Sequence, residues 1–162
     1  MNDAGTATER CPTDDEDLAA AVIGHLGHRQ IAAAESCTAG RIAAALAGVP
    51  DATNSLRGSL VAYQPAIKRG LLGVSTRGVL SHDTAEQMAH GAAALFDADV
   101  AVSTTGLAGG DPEEGVEPGT VFVATFVDGR CASRAHHFDG QPEAVCAAAT
   151  RQALIDLLEQ LG

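Results

Sequence analysis

The stretch "QIAAAESCTAGRIAAALAG", residues 30–48, decides the fold class. Its first part is a short apolar run that ends at Glu35 or Ser36, as in a buried strand. Its second part is rich in Ala, so we expect a helix that begins at residues 38–40. Gly48 and Pro50 are expected to end this helix. The stretch therefore predicts a strand, a tight turn and a helix, which is the repeating unit of α/β proteins.

The remainder of the chain alternates strands and helices in the same way. A capping box of Thr13 and Glu16 predicts a first helix to about His28. Strands are predicted over 55–63 and 98–105, a hairpin at Asp128-Gly129, and helices from Pro65, from Ser81 or Asp83, and over 142–161. This order predicts an α/β fold, a three-layer α/β/α sandwich with a mixed, mostly parallel sheet. We expect one domain over residues 13–162 after a flexible N-terminus of residues 1–12.

Composition limits the classes of function. The net charge of −11 argues against a nucleic-acid surface or an anionic membrane as the main partner. No apolar run approaches the length of about 18 residues that spans a membrane, and no secretory signal pattern opens the chain. The four Cys form no zinc-ligand pattern, so we expect reduced thiols in a cytoplasmic protein without a metal or cofactor.

The turn at residues 35–40 is the first candidate site. Ligands of α/β proteins bind where strands end and helices begin, and free N–H groups at a helix start favour an anion or an oxyanion. Small residues at 39 and 40 let a ligand approach the backbone. The alternative is that Ser36 or Thr38 only caps the helix, and local sequence favours this cap.

Tyr63 and Lys68 are the only tyrosine and the only lysine of the chain, which has nine arginines. A serine nucleophile needs a base, and lysine serves when burial lowers its pKa. Arginine cannot be deprotonated, so a single lysine among arginines suggests proton transfer. The alternative is a surface lysine with a tyrosine that packs at the edge of the core.

Four segments, in this order and spacing, resemble the CinA C-terminal domain family. They are "AESCTAG", "GSLVAYQPAIKRGLLGVS", "GVLSHDTAEQMA" and "TTGLAGG" followed by "PGTVFVA". The resemblance covers the chain from about residue 15 and is nearest to the stand-alone, PncC-type nicotinamide-nucleotide amidases. It implies an α/β/α sandwich and the conversion of nicotinamide mononucleotide to nicotinate mononucleotide and ammonia, in pyridine-nucleotide salvage.

The resemblance also implies roles for individual residues. Ser36 would be the nucleophile, and Tyr63 with Lys68 would move its proton, either from serine to lysine directly or through the phenol. N–H groups at residues 38–40, or of a neighbouring loop, would hold the oxyanion. The nucleotide substrate would then contact Glu35, Cys37, Thr38, Ala39, Gly40, Thr105, Gly106 and Ala108.

The sequence departs from the family pattern at several of these places. Ala39 replaces a glycine, Gln64 and Pro65 replace Ser-Asn, and "TGLAGGD" lacks a proline. Pro142 and Cys146 stand where the family commonly has arginines that could hold a phosphate. Arg41, Arg69 or Arg151 are candidates to compensate. A non-catalytic nucleotide-binding module and an amidase for another small amide therefore remain open, as does a homo-oligomeric state.

Four other features of the sequence are weaker candidates for a functional site. Cys37 is an alternative nucleophile, although no His motif accompanies it. Residues 104–106 with Gly109 and Gly110 suggest an anion-binding nest or an ordinary glycine turn. His136 and His137 are adjacent on a strand and should point to opposite faces, so a shared metal is not expected. The acidic residues Asp111, Glu113, Glu114 and Glu117 are expected to form a solvated loop, with a cation site as the alternative.

Overall fold

The computed structural model describes residues 14–162 and has five strands and five α-helices in that range. The predicted flexible N-terminus, residues 1–12, and Thr13 lie outside the described residues. In chain order the elements are α1 (Asp15–Leu26), β1 (Ile31–Glu35), α2 (Arg41–Ala47), a 3₁₀ turn (Ala52–Asn54), β2 (Leu56–Val61), α3 (Pro65–Leu72), α4 (His82–Phe96), β3 (Val100–Gly106), β4 (Thr120–Val127), β5 (Arg130–His137) and α5 (Pro142–Leu161).

The strands form one mixed sheet in the order β2-β1-β3-β4-β5. Strands β2, β1 and β3 pair in parallel, and β4 pairs antiparallel with both β3 and β5. Four of the five strands therefore run in one direction, which confirms the predicted mixed, mostly parallel sheet. Asp128 and Gly129 both have positive φ, at 48° and 83°, and close the predicted hairpin between β4 and β5.

Helices cover both faces of the sheet, which confirms the three-layer α/β/α sandwich. Helices α1, α2 and α5 pack against one another on one face, and α3 and α4 pack on the other. Alternate residues of β1 divide between the layers: Ile31 and Ala33 join the core with α1 and α5, whereas Ala32 and Ala34 join the core with α4. Because the alanine side chains of the sheet are small, the helices pack close to it. The core is therefore well packed although it contains almost no aromatic residues.

Several helix boundaries differ from the sequence expectation, each for a local reason. Helix α1 begins after Asp14, whose side chain accepts a hydrogen bond from Asp17 N, and ends before Gly27, which has a φ of 63°. Helix α2 begins at Arg41 and not at Thr38, because Ala39 and Gly40 have left-handed φ values of 50° and 95°. The predicted start of α3 at Pro65 is confirmed, and of the two residues predicted to open α4, Ser81 is the cap whereas Asp83 lies inside the helix. Within residues 14–162, no helix has the length and hydropathy to cross a membrane.

Candidate active site

The carboxyl ends of the three parallel strands meet beside a cavity of about 420 Å³, a volume suited to a small organic ligand. The turn after β1, the end of β3 with its following loop, and the start of α3 each contribute to its wall. The lining residues are Ser36, Cys37, Tyr63, Pro65, Lys68, Val79, Leu80, Gly106, Leu107, Ala108, Gly109, Glu113, Pro142 and Cys146. The cavity therefore contains all three residues expected to carry out catalysis.

Ser36 and Lys68 are in direct contact in this cavity. The Lys68 Nζ lies 3.0 Å from Ser36 Oγ and donates a second hydrogen bond to the backbone carbonyl of Tyr63, at 3.2 Å. Lys68 is only 2% exposed and Ser36 only 7%. Helix α3 begins at Pro65 and places Lys68 on its inner face, one turn from the end of β2. The single lysine is therefore not a surface residue, and its amine can exchange a proton with the serine without an intermediary.

Burial lowers the pKa of Lys68 below its usual value of 10.5, because the charged ammonium loses its hydration. The carboxylate of Glu114 opposes this shift, as a thiolate at Cys37 would, and the neighbouring Arg69 adds to it. A lysine with a depressed pKa spends more time as the neutral amine at moderate pH. Only the neutral amine has a lone pair that can accept a proton from serine.

Tyr63 contributes its backbone and not its hydroxyl to the contact with Lys68. Its side chain is 64% exposed at the cavity wall, and within residues 14–162 its phenol has no hydrogen-bond partner. The structure therefore shows the direct Ser36–Lys68 contact and no relay through the tyrosine hydroxyl. The exposed ring remains available to contact a ligand.

Glu35 fixes the turn that carries Ser36. The side chain is fully buried, and its carboxylate accepts hydrogen bonds of 2.7–3.3 Å from three N–H groups and two hydroxyls. The donors are Gly40 N, Ile42 N, Ala43 N, Thr38 Oγ1 and Ser59 Oγ. An internal anion therefore already occupies the start of α2, where the sequence suggested a site for an external one.

Of the five substrate contacts expected at this turn, only Cys37 lines the cavity. Ser36 and Cys37 line the cavity, whereas Glu35 and Thr38 lie behind its wall, each with no exposed surface. Thr38 also bonds Thr104 through their hydroxyls, at 2.8 Å. Ala39 and Gly40 shape the turn through their positive φ values but do not line the cavity.

The two thiols beside Ser36 are buried. Burial, together with the smaller effect of the nearby Cys146, raises the pKa of Cys37 to about 12. The Cys146 thiol donates to the carbonyl of Cys37 at 3.0 Å. A thiol with such a pKa is almost entirely protonated at neutral pH, and only the thiolate is a good nucleophile. Ser36, with a base in contact, is therefore the better candidate nucleophile.

The loop after β3 forms the opposite wall. Gly106 and Ala108 line the cavity as the resemblance implied, but Thr105 does not, because its hydroxyl is buried and donates to Val79 O at 2.7 Å. Gly106 has no room for a side chain, since an added Cβ would lie 2.7 Å from the Cα of Val121. The glycine there lets β3 and β4 approach at the edge of the cavity.

The acidic loop is partly structural. The carboxylate of Glu114 accepts the N–H groups of Val79 and Leu80 at 2.8–2.9 Å, and Glu113 lines the cavity. These contacts hold residues 79 and 80 against the site. Sequence reasoning did not identify Val79 and Leu80, because only the fold brings them close to Ser36; the one signal was the run of acidic residues.

The substituted positions lie at the site itself. Pro65, Pro142 and Cys146 all line the cavity. The arginines suggested as replacements do not: Arg41 pairs with Glu143 at 3.2 Å, Arg69 donates to the carbonyl of Arg77 at 3.0 Å, and Arg151 pairs with Asp15 at 3.1 Å. Among residues 14–162, no arginine lines the cavity.

The adjacent histidines have separate partners. His136 bonds the buried carboxylate of Asp156 at 2.7 Å, and His137 lies 3.3 Å from the hydroxyl of Thr120. In residues 14–162 no group of His, Cys, Asp or Glu side chains is arranged to hold a metal ion. Neither histidine lines the cavity of Ser36.

Curated proteins of several bacteria are similar to this chain. The protein YdeJ of Escherichia coli K12 is 35% identical over 138 residues, which is 82% of this chain and 80% of YdeJ. A CinA-like protein of Synechococcus sp. CC9311 is 38% identical over 130 residues, or 74% of this chain and 30% of that protein. The chain spans 24–38% of the length of several longer competence-damage inducible proteins.

Solved structures show the same fold. A competence damage-inducible protein A from Klebsiella pneumoniae superposes with a TM-score of 0.88 at 32% identity, covering 92% of this chain and 98% of that one. A competence/damage inducible protein from Agrobacterium tumefaciens gives a TM-score of 0.85 at 33% identity, covering 95% and 99%. The sequence model of the family described as CinA C-terminal domain matches residues 15–161. The chain therefore belongs to the CinA C-terminal domain family.

Proposed function

We propose that the protein is an amidohydrolase that uses Ser36 as nucleophile and Lys68 as general base and acid. Its substrate is a pyridinium carboxamide, a nicotinamide nucleotide or nucleoside, which it converts to the carboxylate and ammonia. The observation that carries the proposal is the 3.0 Å contact between Ser36 Oγ and a buried Lys68 Nζ at the wall of a ligand-sized cavity. Serine–lysine pairs are a known alternative to the Ser-His-Asp triad.

The first half of the reaction acylates the serine. Neutral Lys68 takes the hydroxyl proton while Ser36 Oγ forms a bond to the carboxamide carbon. The tetrahedral oxyanion needs hydrogen-bond donors. Residues 38–40 do not line the cavity, so we expect the donors to come from the neighbouring loop, residues 106–109, which does. When the C–N bond breaks, Lys68 returns the proton to the departing nitrogen, and ammonia leaves.

The second half of the reaction hydrolyses the acyl-serine ester. A water molecule gives a proton to Lys68 and attacks the acyl carbon, and the ester bond to Ser36 Oγ then breaks. Ser36 regains its proton from Lys68, and the product leaves as a carboxylate. Each step uses the same short proton path, and neither step needs the tyrosine hydroxyl. A pyridinium ring withdraws electrons from the carboxamide, so the amide carbon is electrophilic enough for an unaided serine–lysine pair.

Ammonia release tests the proposal. We expect purified protein to release ammonia from nicotinamide mononucleotide or from nicotinamide riboside, with one equivalent of the matching carboxylate for each ammonia. The measurement is a coupled ammonia assay with product identification by mass spectrometry. Absence of release from both compounds would contradict the proposal.

A second candidate is a non-catalytic nucleotide-binding module. The observation that favours a loss of catalysis is that three departures from the family pattern, Pro65, Pro142 and Cys146, all line the cavity. Isothermal titration calorimetry separates the two candidates. Tight binding of nicotinamide mononucleotide without ammonia release would favour the binding module, whereas hydrolysis that depends on Ser36 would exclude it.

A further inference from the structure

The cavity beside Ser36 contains little positive charge. In the described part of the chain, Lys68 is the only basic residue and Glu113 the only acidic residue that line it. Lys68 is engaged by Ser36 and by a carbonyl, and its pKa is lowered by burial. When Lys68 is neutral, as catalysis requires, Glu113 is the one formal charge on the wall.

The nearby arginines do not supply the missing cation. Arg41 is paired with Glu143, and Arg69 is turned toward the carbonyls of residues 76 and 77. A phosphate carries a charge of about −1.5 to −2 at neutral pH and is normally held by Arg, by Lys or by a helix start. The start of α2 is already occupied by the carboxylate of Glu35. A phosphorylated ligand would therefore add negative charge to a site that is already acidic.

The same wall suits a cation. Tyr63 presents an exposed aromatic ring at the cavity, and aromatic rings attract cationic groups through the negative charge of their faces. Glu113 adds a carboxylate on the side of the acidic loop. Resting on the proposed amidohydrolase function, we infer that this site selects a cationic aromatic carboxamide that carries no phosphate, with Glu113 and Tyr63 as the residues that recognise the positive charge.

The test compares nicotinamide riboside, a cation, with nicotinamide mononucleotide, which adds only the phosphate. We expect kcat/KM for ammonia release to be about tenfold or more higher for the riboside. The preference should shrink as salt is raised, since added ions screen charges at a partly open site. Glu113→Gln should reduce the ratio about two- to fivefold, as for a solvent-exposed charge. Glu117→Gln, in the same loop but away from the cavity, is the matched control and should leave the ratio unchanged.

Four further variants, at two positions of the cavity wall, test the inference independently. Pro142→Arg places a cation on the cavity and should raise kcat/KM for the mononucleotide several-fold, and Pro142→Ala separates this gain from the loss of the proline ring. Tyr63→Phe should keep the KM for the riboside, whereas Tyr63→Leu should raise it, because only the aromatic residues attract the cation.

The outcomes separate this inference from the proposed function. A higher kcat/KM for the mononucleotide, or equal values for the two compounds, would overturn the inference but leave the proposed amidohydrolase function standing. The phosphate would then be held by backbone N–H groups of the loop of residues 106–110 or of the start of α5. If neither compound is hydrolysed, the proposed function fails. Calorimetry then compares the binding of the riboside and the mononucleotide and tests the charge selection by itself. Tighter riboside binding would support charge selection, and tighter mononucleotide binding would contradict it.

Discussion

Lys68 is the residue on which the proposed chemistry depends, and its burial has a cost in stability. The unfolded chain gives this lysine a normal pKa of about 10.4, whereas the folded chain lowers it. Between the two pKa values the unfolded state binds more protons than the native state, so stability rises with pH through this window. Below the window the native protein bears the full penalty of a buried ammonium.

Lys68→Met tests this cost together with the catalytic role. Methionine fills the same space and cannot ionise, so we expect a higher free energy of unfolding than in the wild type at neutral pH. The difference should shrink as the pH approaches 10.5, the ordinary value for lysine. Activity should fall about 10²- to 10⁴-fold, the usual loss for a missing general base. Denaturant unfolding at several pH values and ammonia assays measure the two effects.

Lys68→Arg is the matched control for charge. It keeps the positive charge but cannot be deprotonated, so it should lose activity as Lys68→Met does and be less stable than the wild type. An active Lys68→Met protein, or a stability difference that does not change with pH, would contradict the account.

Cys37 provides a second test at the scale of single residues. Its thiol has a pKa raised to about 12 by burial, so the nucleophilic thiolate is scarce at neutral pH. We expect Cys37→Ala to keep kcat within about fivefold of the wild type and to lose some stability, since a buried side chain is truncated. Steady-state kinetics with a thermal unfolding curve measure both. A loss of activity as large as that of Lys68→Met would point to the thiol as nucleophile.

At the scale of the elements, the link between β1 and α2 places Ser36, the proposed nucleophile. Glu35 ends the strand and anchors the first turn of the helix through three backbone N–H groups, so Ser36 is held between two fixed segments. Ala39 and Gly40 have left-handed φ values, and this bend of the backbone lets the N–H groups converge on one carboxylate. Ser36 is therefore placed by the buried side chain of Glu35 and not by a standard helix cap.

Glu35→Gln should disrupt this link. The amide removes the charge and turns one acceptor into a donor that faces backbone N–H groups, so we expect a destabilisation of about 2–4 kcal/mol, given about 1.5–3 kcal/mol for a hydrogen bond to a charged group. Ser59→Ala removes only the 3.3 Å contact and should cost less than about 1 kcal/mol. Urea unfolding measures both. Equal stabilities of Glu35→Gln and the wild type would contradict the anchoring role.

Helices α3 and α4 pack closely enough to require a glycine. A Cβ at Gly91 would lie 2.8 Å from the Cα of Leu72, at the end of the helix that carries Lys68. We expect Gly91→Ala to destabilise the fold by about 1–3 kcal/mol, as overpacking does. Gly70→Ala, in α3 with nothing within 4 Å of the added Cβ, should instead stabilise by up to about 1 kcal/mol. Thermal unfolding of the pair checks this, and similar behaviour of both variants would contradict it.

At the scale of the whole molecule, the fold was predictable because its local signals agree with its packing. Apolar runs, helix periodicity, the Asp128-Gly129 turn and Pro65 each define an element that the sheet then uses. The 3₁₀ turn Ala52–Asn54 was missed because three residues carry no periodic pattern. The start of α2 was misplaced because Ala39 has no local signal for a positive φ.

The site was predictable only in part. The rarity of Lys68 and the position of Ser36 after a strand suggested chemistry, and their contact follows from the parallel pairing of β1 with β2, which sequence spacing cannot supply. Val79 and Leu80 reach the cavity through Glu114, a contact across 35 residues of chain. The role of Glu35 as an internal anchor depends on hydrogen bonds that form only after the turn has its shape.

The central claim is that Ser36, activated by Lys68, attacks the amide. The most direct test is the rate of ammonia release by Ser36→Ala, compared with the wild type, for nicotinamide riboside and nicotinamide mononucleotide at equal protein concentration. The account predicts release by the wild type with at least one of them and a loss of about 10³-fold or more in the variant, as for the removal of a nucleophile. Ammonia release by Ser36→Ala at the wild-type rate would contradict it.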